Sequence, residues 1–247
     1  MDGDAVVLSD VWKRFRNVVA LRGISFRVRR SEIFGLVGPN GAGKTTTLRI
    51  ISTLVKHDNG FVEVLGHRLP EGKSEVRRRI SYLPEDAGLY HRLTGWENLL
   101  YFAMIYTEDV QEARKVAEFG ATLTGLCRRD LGRRASEYSK GMARRVAIAR
   151  TLMVKPDLVI LDEPTSGLDV FSAYAIRGII KNFVKKEGMT AIISSHNMLE
   201  VQSLCDRVAL VNRGKIVAIG TPKELITRMK ASDLEEAFIR MVGDSYE

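Results

Sequence analysis

Cysteine is scarce in this chain: its 247 residues hold two, Cys127 and Cys205, far apart and without C-x-x-C spacing. That argues against a disulfide framework or a zinc site and predicts two reduced thiols in a reducing compartment. Long apolar runs are missing too, with no stretch near the roughly eighteen apolar residues of a membrane helix. If the protein works at a membrane, another chain must supply the spans. No apolar core follows the acidic start Met1-Asp2-Gly3-Asp4, so an export signal is not expected. Internal repeats and low-complexity segments are absent. The basic runs Arg77-Arg78-Arg79, Arg128-Arg129 and Arg133-Arg134 are too short for a nucleic-acid tail and are expected on exposed helix faces.

What is present is ordinary for a soluble globular protein: 45% hydrophobic and 28% charged residues. The length suits one large domain or two small ones, with a core that needs no staples. A net charge of +8 favours an anionic partner (nucleotide, nucleic acid or phospholipid surface) or serves solubility alone.

Strand and helix signals alternate. Val6-Val7-Leu8 and Ile24-Ser25-Phe26-Arg27-Val28 are β-prone. Ile33-Phe34-Gly35-Leu36-Val37 is a continuous apolar run that reads as a buried strand feeding a tight loop. Helical spacing follows over 44–54 and a strand over 61–65. Between 85 and 156 strand signals vanish. Thr94 can cap a helix running to 106, a second helix spans 108–126 and a third 140–154, with Met142, Val146, Ala149 and Met153 on one face and Arg144 and Arg145 off it. Alternation resumes with a strand at 158–161, a helix over 171–186, a strand at 190–194 and a helix near 198–204. Asn212-Arg213-Gly214 joins a hairpin, and Pro222 opens a terminal helix. The expectation is an α/β core, 1–84 and 157–228, interrupted by a helical insertion at 85–156. A tail at 229–247 is expected to be helical at first and then to fray.

Gly38-Pro39-Asn40-Gly41-Ala42-Gly43-Lys44-Thr45 fits G-x-x-x-x-G-K-[ST] at every fixed position, between a predicted strand and a predicted helix. Glycines let the backbone wrap a phosphate, and the helix dipole backs the inward N–H groups. Lys44 can reach the β- and γ-phosphates, and Thr45 can offer its hydroxyl to Mg²⁺. The strand Leu158-Val159-Ile160-Leu161 ends in Asp162 and Glu163. Alone these acids could be solvated loop residues. Beside a P-loop, Asp162 is placed to hold Mg²⁺, and Glu163, expected on the strand's opposite side, to act as a general base.

Asp162-Glu163-Pro164-Thr165-Ser166-Gly167-Leu168-Asp169 resembles the Walker B and D-loop run of the ABC (ATP-binding cassette) family, and Ser139-Lys140-Gly141-Met142 resembles its signature loop. The resemblance covers about 6–225. It implies a P-loop NTPase (RecA-like) core with an N-terminal antiparallel β part and a helical ABC-specific subdomain. It also implies ATP and Mg²⁺ as ligands, with Glu163, His196 and Lys44 catalytic. ATP contacts would come from Phe15 (stacked on adenine), Gly38, Pro39, Asn40, Gly41, Ala42, Gly43, Lys44, Thr45 and Thr46, and from Ser139 and Gly141 facing the ATP of a second subunit. Gly141 is expected to leave room for that phosphate, and Lys140 either to add positive charge beside it or to face solvent. Metal contacts would come from Thr45, Asp162 and Glu85; Glu85 stands where the family has glutamine.

The run Tyr82-Leu83-Pro84-Glu85 with Glu97-Asn98-Leu99 and Tyr138-Ser139-Lys140-Gly141-Met142 is similar to ATPase subunits of drug- and sodium-efflux exporters with separate permeases. That implies a transmembrane permease, a second nucleotide-binding subunit (identical or not) and a place at the cytoplasmic face of the membrane. Phe102, Met104 and Ile105 would either line the groove that receives the permease or belong to the core of the insertion. The alternative is an ABC ATPase acting on nucleic acid or ribosomes. Such proteins carry a coiled-coil insertion or two cassettes, whereas this chain shows one cassette, no long heptad run and no strong basic tail.

Overall fold

The computed structural model describes residues 3–243. Strands β1 (Asp4–Phe15), β2 (Val18–Arg29), β4 (Asn59–Val64) and β5 (His67–Arg68) form an antiparallel sheet in the order β2-β1-β4-β5. A second sheet joins β3 (Ile33–Val37), β6 (Ile80–Leu83), β7 (Leu158–Asp162), β8 (Thr190–Ser195), β9 (Arg207–Asn212) and β10 (Lys215–Gly220) in the order β10-β9-β3-β8-β7-β6. Its strands run parallel except β10, the return arm of the predicted hairpin.

The continuous apolar runs have a simple cause: this sheet is buried on both faces. Ile33 and Val37 of β3, Val159 and Leu161 of β7, and Val208 and Leu210 of β9 enter one core cluster with the helices. Phe34 and Leu36, Leu158 and Ile160, and Ala209 and Val211 enter a second cluster with the antiparallel sheet and with α1 (Lys44–Ile51). Strand alternation sorts neighbouring side chains between the two cores. β6, unanticipated from sequence, is an edge strand paired with β7, with the short α2 (Lys73–Arg77) just before it.

The insertion is helical as expected: α3 (Gly95–Tyr106), α4 (Val110–Thr124), α5 (Arg128–Leu131) and α6 (Lys140–Leu152). Thr94 and Glu97 form a reciprocal capping box at the start of α3. Met104 and Ile105 are 51% and 62% exposed, so they are not core residues, while Phe102 is half-buried with the Arg150 guanidinium 4.2 Å above its ring. The chain then returns to the parallel sheet through α7 (Val170–Lys186) and α8 (Met198–Leu204), and α9 (Pro222–Met229) follows β10.

The tail is helical at first, as expected: α10 (Leu234–Gly243) packs on α8 and α9, because Leu234, Phe238 and Met241 recur at helical spacing and join the helix-side core. Residues 1–2 and 244–247, within the predicted acidic start and tail, lie outside the described residues. Cys127 is exposed and Cys205 buried, both unpaired; burial pushes the Cys205 thiol far up, so it stays protonated. Among the described residues no helix is long and apolar enough to cross a membrane.

Candidate active site

The phosphate-binding loop leaves the carboxyl end of β3 and opens α1. Gly43 caps that helix at φ 108°. A Cβ there would sit 2.8 Å from Leu21 Cδ2 and 2.9 Å from the Ala20 carbonyl, so conformation and space both demand glycine. Lys44 is only 6% exposed. Its Nζ donates to the Gly38 and Pro39 carbonyls at 2.7 and 3.2 Å and lies 3.3 Å from Glu163 Oε1. Loop residues 40–46 border a cleft of about 700 Å³ with Val18, Val19 and Ala20 of β2, Glu85 and Glu163, while Arg22, Arg213 and Lys215 add positive charge suited to an anionic ligand.

Asp162 ends β7 and is 1% exposed. Its Oδ1 accepts from Ser194 Oγ at 2.5 Å and from Thr45 Oγ1 at 3.3 Å, and its Oδ2 from Tyr82 Oη at 3.3 Å. Ser194 and Tyr82 come from β8 and β6, the strands flanking β7. Burial, with the Asp162 charge, pushes the Tyr82 phenol up to about 12, so that hydroxyl remains a donor at neutral pH.

Alternation puts Glu163 on the far side of the strand, but the structure does not. Pairing stops at Asp162, and Glu163 adopts φ 47°. The left-handed residue breaks the alternation, so Asp162 meets the P-loop through Thr45 and Glu163 meets it through Lys44. The Glu163 N–H donates to Ser194 Oγ at 2.9 Å, and His196 Nδ1 lies 2.9 Å from Glu163 Oε2. Glu163 Oε1 is buried and, among the described residues, accepts no hydrogen bond beside its ion pair with Lys44 at 3.3 Å; with that ammonium drawn to a phosphate, the oxygen is an acceptor for a proton from a reactant in the cleft. Thr45 and Asp162 are hard oxygen donors. Among the described residues no cluster of three His, Cys, Asp or Glu exists. So small a donor set fits Mg²⁺, which keeps waters and shares its shell with phosphates.

The structure thus brings together Lys44, Thr45, Asp162, Glu163 and His196. Glu85 is exposed, lines the same cleft and accepts from Ser166 Oγ at 3.4 Å. Phe15 ends β1 opposite Val18, 45% exposed with Lys13 Nζ 5.1 Å from its ring centre, so it is no core residue; Val18 borders the cleft, and Phe15 does not. Ser139 caps α6, its Oγ accepting from Met142 N at 3.2 Å, but neither it nor Gly141 lines the cleft. The space a Cβ at Gly141 would fill is taken by the Ser172 hydroxyl of α7, so packing of α6 on α7 calls for glycine there independently of any contact with phosphate. Lys140 is exposed, with its ammonium laid against Gly167.

Sequence reasoning assigned no role to Tyr82, Ser194, Glu200 or Arg144. Glu200, 7% exposed, accepts from Thr165 Oγ1 and, at 3.3 Å, from Ser195 Oγ, tying the segment after Glu163 to the end of β8. Arg144, set off the apolar face of its helix, is 9% exposed. Its signal was a second stripe, Gly141, Arg144, Ile148 and Leu152, all buried at helical spacing.

Residues 21–166 match the family model described as ABC transporter. The chain is 36% identical over 237 residues to the linearmycin resistance ATP-binding protein LnrL of Bacillus subtilis (strain 168), covering 96% of this chain and 76% of that protein. It is 37% identical over 239 residues to the ABC transporter ATP-binding protein NatA of the same strain, covering 95% and 96%. Among solved structures, cbiO1 from Clostridium perfringens, described as part of the ABC transporter complex cbiONQ, superposes with a TM-score of 0.83 at 26% identity, covering 97% of this chain and 94% of that one.

The Ser194 hydroxyl serves two buried groups at once. Ser194→Ala should strand the Glu163 N–H and lower the unfolding free energy by about 1–3 kcal/mol, read from the urea midpoint at unchanged slope; an unshifted midpoint would show that the Glu163 N–H finds another partner.

Proposed function

The chain belongs to the ABC transporter family as an ATP-binding, ATP-hydrolysing subunit, and from that premise we propose that it drives a separate membrane permease through ATP-dependent pairing with a second cassette. One observation carries this reading. Lys44, Thr45 and Glu163 line one cleft, with Asp162 joined to it through Thr45 and His196 held against Glu163, while the Ser139 end of α6, also suited to phosphate, stands outside it. A single chain therefore holds half of each composite site. Two chains closing head to tail would bring Ser139 of one toward the P-loop of the other, where the start of α6 favours negative charge.

In the closed site, the loop N–H groups and Lys44 bind and orient the phosphates of ATP. Thr45 and Asp162 would hold Mg²⁺, which would neutralise charge on the phosphate oxygens. Glu163 Oε1 accepts the proton of the attacking water. His196 holds Glu163 through Oε2, leaving Oε1 to the water. Phe15, exposed opposite the cleft-lining Val18, would offer a ring face to adenine from outside the cleft wall. Cleavage removes the contacts that join the subunits, and the reopened pair resets the permease.

Export is supported by the name of a relative, a linearmycin resistance protein, and a partner complex by cbiO1, described as part of a larger transporter complex. Met104 and Ile105, exposed on α3 beside Tyr101 and Tyr90, suit a cytoplasmic helix of the permease. The insertion 85–156 would then move as a unit against the core, with the protein held at the cytoplasmic membrane face by its partner.

Glu163→Gln should bind ATP, accumulate as a closed dimer on size exclusion and turn over about 10²-fold more slowly or worse; wild-type turnover would remove Glu163 as the base. Glu85→Gln should keep ATP affinity and shift the Mg²⁺ titration of hydrolysis, whereas an unchanged titration would place Glu85 outside the metal shell.

A further inference from the structure

The mechanism above leaves the buried charge of Arg144 without a task. Arg144 projects from α6 and meets five main-chain carbonyls. Nη1 donates to Pro84 and Glu85 at 3.3 and 3.1 Å, Nη2 to Asp162 and Glu163 at 3.1 and 2.9 Å, and Nε to Pro164 at 2.8 Å. A guanidinium has five N–H donors in a fixed fork, and here five acceptors surround it. None of the five is a carboxylate, so main-chain dipoles solvate the cation; burial pulls its pKa down, and the nearby acids Glu85, Asp162, Asp86 and Glu163 work against that by favouring its charge. A lysine ammonium, with three donors at one point, cannot span this set.

The acceptors fall in two groups. Asp162, Glu163 and Pro164 are consecutive residues around the left-handed turn that aims the Glu163 carboxylate at the P-loop. Pro84 and Glu85 begin the segment that leaves β6 for the helical insertion. Arg144 itself lies one turn into the helix that Ser139 caps. One side chain therefore ties the turn of the base, the exit of β6 and the start of α6 into one rigid joint.

We propose that Arg144 is a positioning residue for hydrolysis, which holds the main-chain turn of Glu163 and makes the aim of that carboxylate follow the position of residues 84–85. Movement of the insertion is thereby transmitted to the water-activating group. This rests on Glu163 being the base.

The test uses the full chain with Arg144→Lys, and Arg144→Gln as a second variant should the first not fold. ATP affinity is titrated with a fluorescent ATP analogue, and kcat and KM are measured with saturating Mg²⁺. Affinity and KM should stay within about threefold of wild type while kcat falls about tenfold or more, the signature of an interaction that matters after binding. In a Glu163→Gln background the same substitution should cost nothing further, because both changes act on one step. Wild-type kcat in a folded variant would overturn the proposal. So would parallel loss of affinity and kcat, or a full additional loss on top of Glu163→Gln. Failure of the base assignment is separately visible as wild-type turnover by Glu163→Gln alone.

Discussion

At the end of β7 the chain makes a left-handed turn at Glu163, and the geometry of the site depends on it. A non-glycine residue at φ 47° costs on the order of 1–3 kcal/mol and persists only where its surroundings over-determine it. They do so here from two sides. The Ser194 hydroxyl accepts the Glu163 N–H while donating to Asp162, and Arg144 gathers the carbonyls of Asp162, Glu163 and Pro164. Without that turn, strand alternation would put the two carboxylates on opposite faces. With it, both face the P-loop.

The sheet explains why the parts arrive together. Parallel strands buried on both faces end on one edge, and the loops beyond their carboxyl ends form the crevice. β3 delivers Lys44 and Thr45, β7 delivers Asp162 and Glu163, and β8, next to both, delivers Ser194 and His196. β6 adds Tyr82 and then leads into the insertion. Hydroxyls from β6, β8 and α1 all reach Asp162, so its carboxylate is fixed before any ligand arrives.

Much of this was legible in the sequence, for identifiable reasons. Continuous apolar runs marked β3 and β7 because both faces of the sheet are buried, and Thr94 with Glu97 marked the start of α3 through capping chemistry. The G-x-x-x-x-G-K-[ST] match placed Lys44 and Thr45. What escaped notice depended on tertiary contact. Glu163 turns back because of partners 19 and 31 residues away in the chain. Arg144 falls off the apolar face of its helix, and its acceptors are main-chain carbonyls, which leave no trace in side-chain identity. Gly141 also answers to Ser172, on another helix, a packing demand that its own sequence neighbours do not show. The partners of α10, α8 and α9, were likewise invisible, although Leu234, Phe238 and Met241 carry the pattern of a packed helix.

The account stands on each chain carrying half of two composite sites. Complementation tests it most directly: Lys44→Ala removes the P-loop cation and Ser139→Arg blocks the start of α6, so each variant alone should be inactive. Mixed, they can form one intact site from the P-loop of the Ser139→Arg chain and the α6 end of the Lys44→Ala chain. The account predicts that ATP hydrolysis returns on mixing; a mixture as inactive as its components would contradict it.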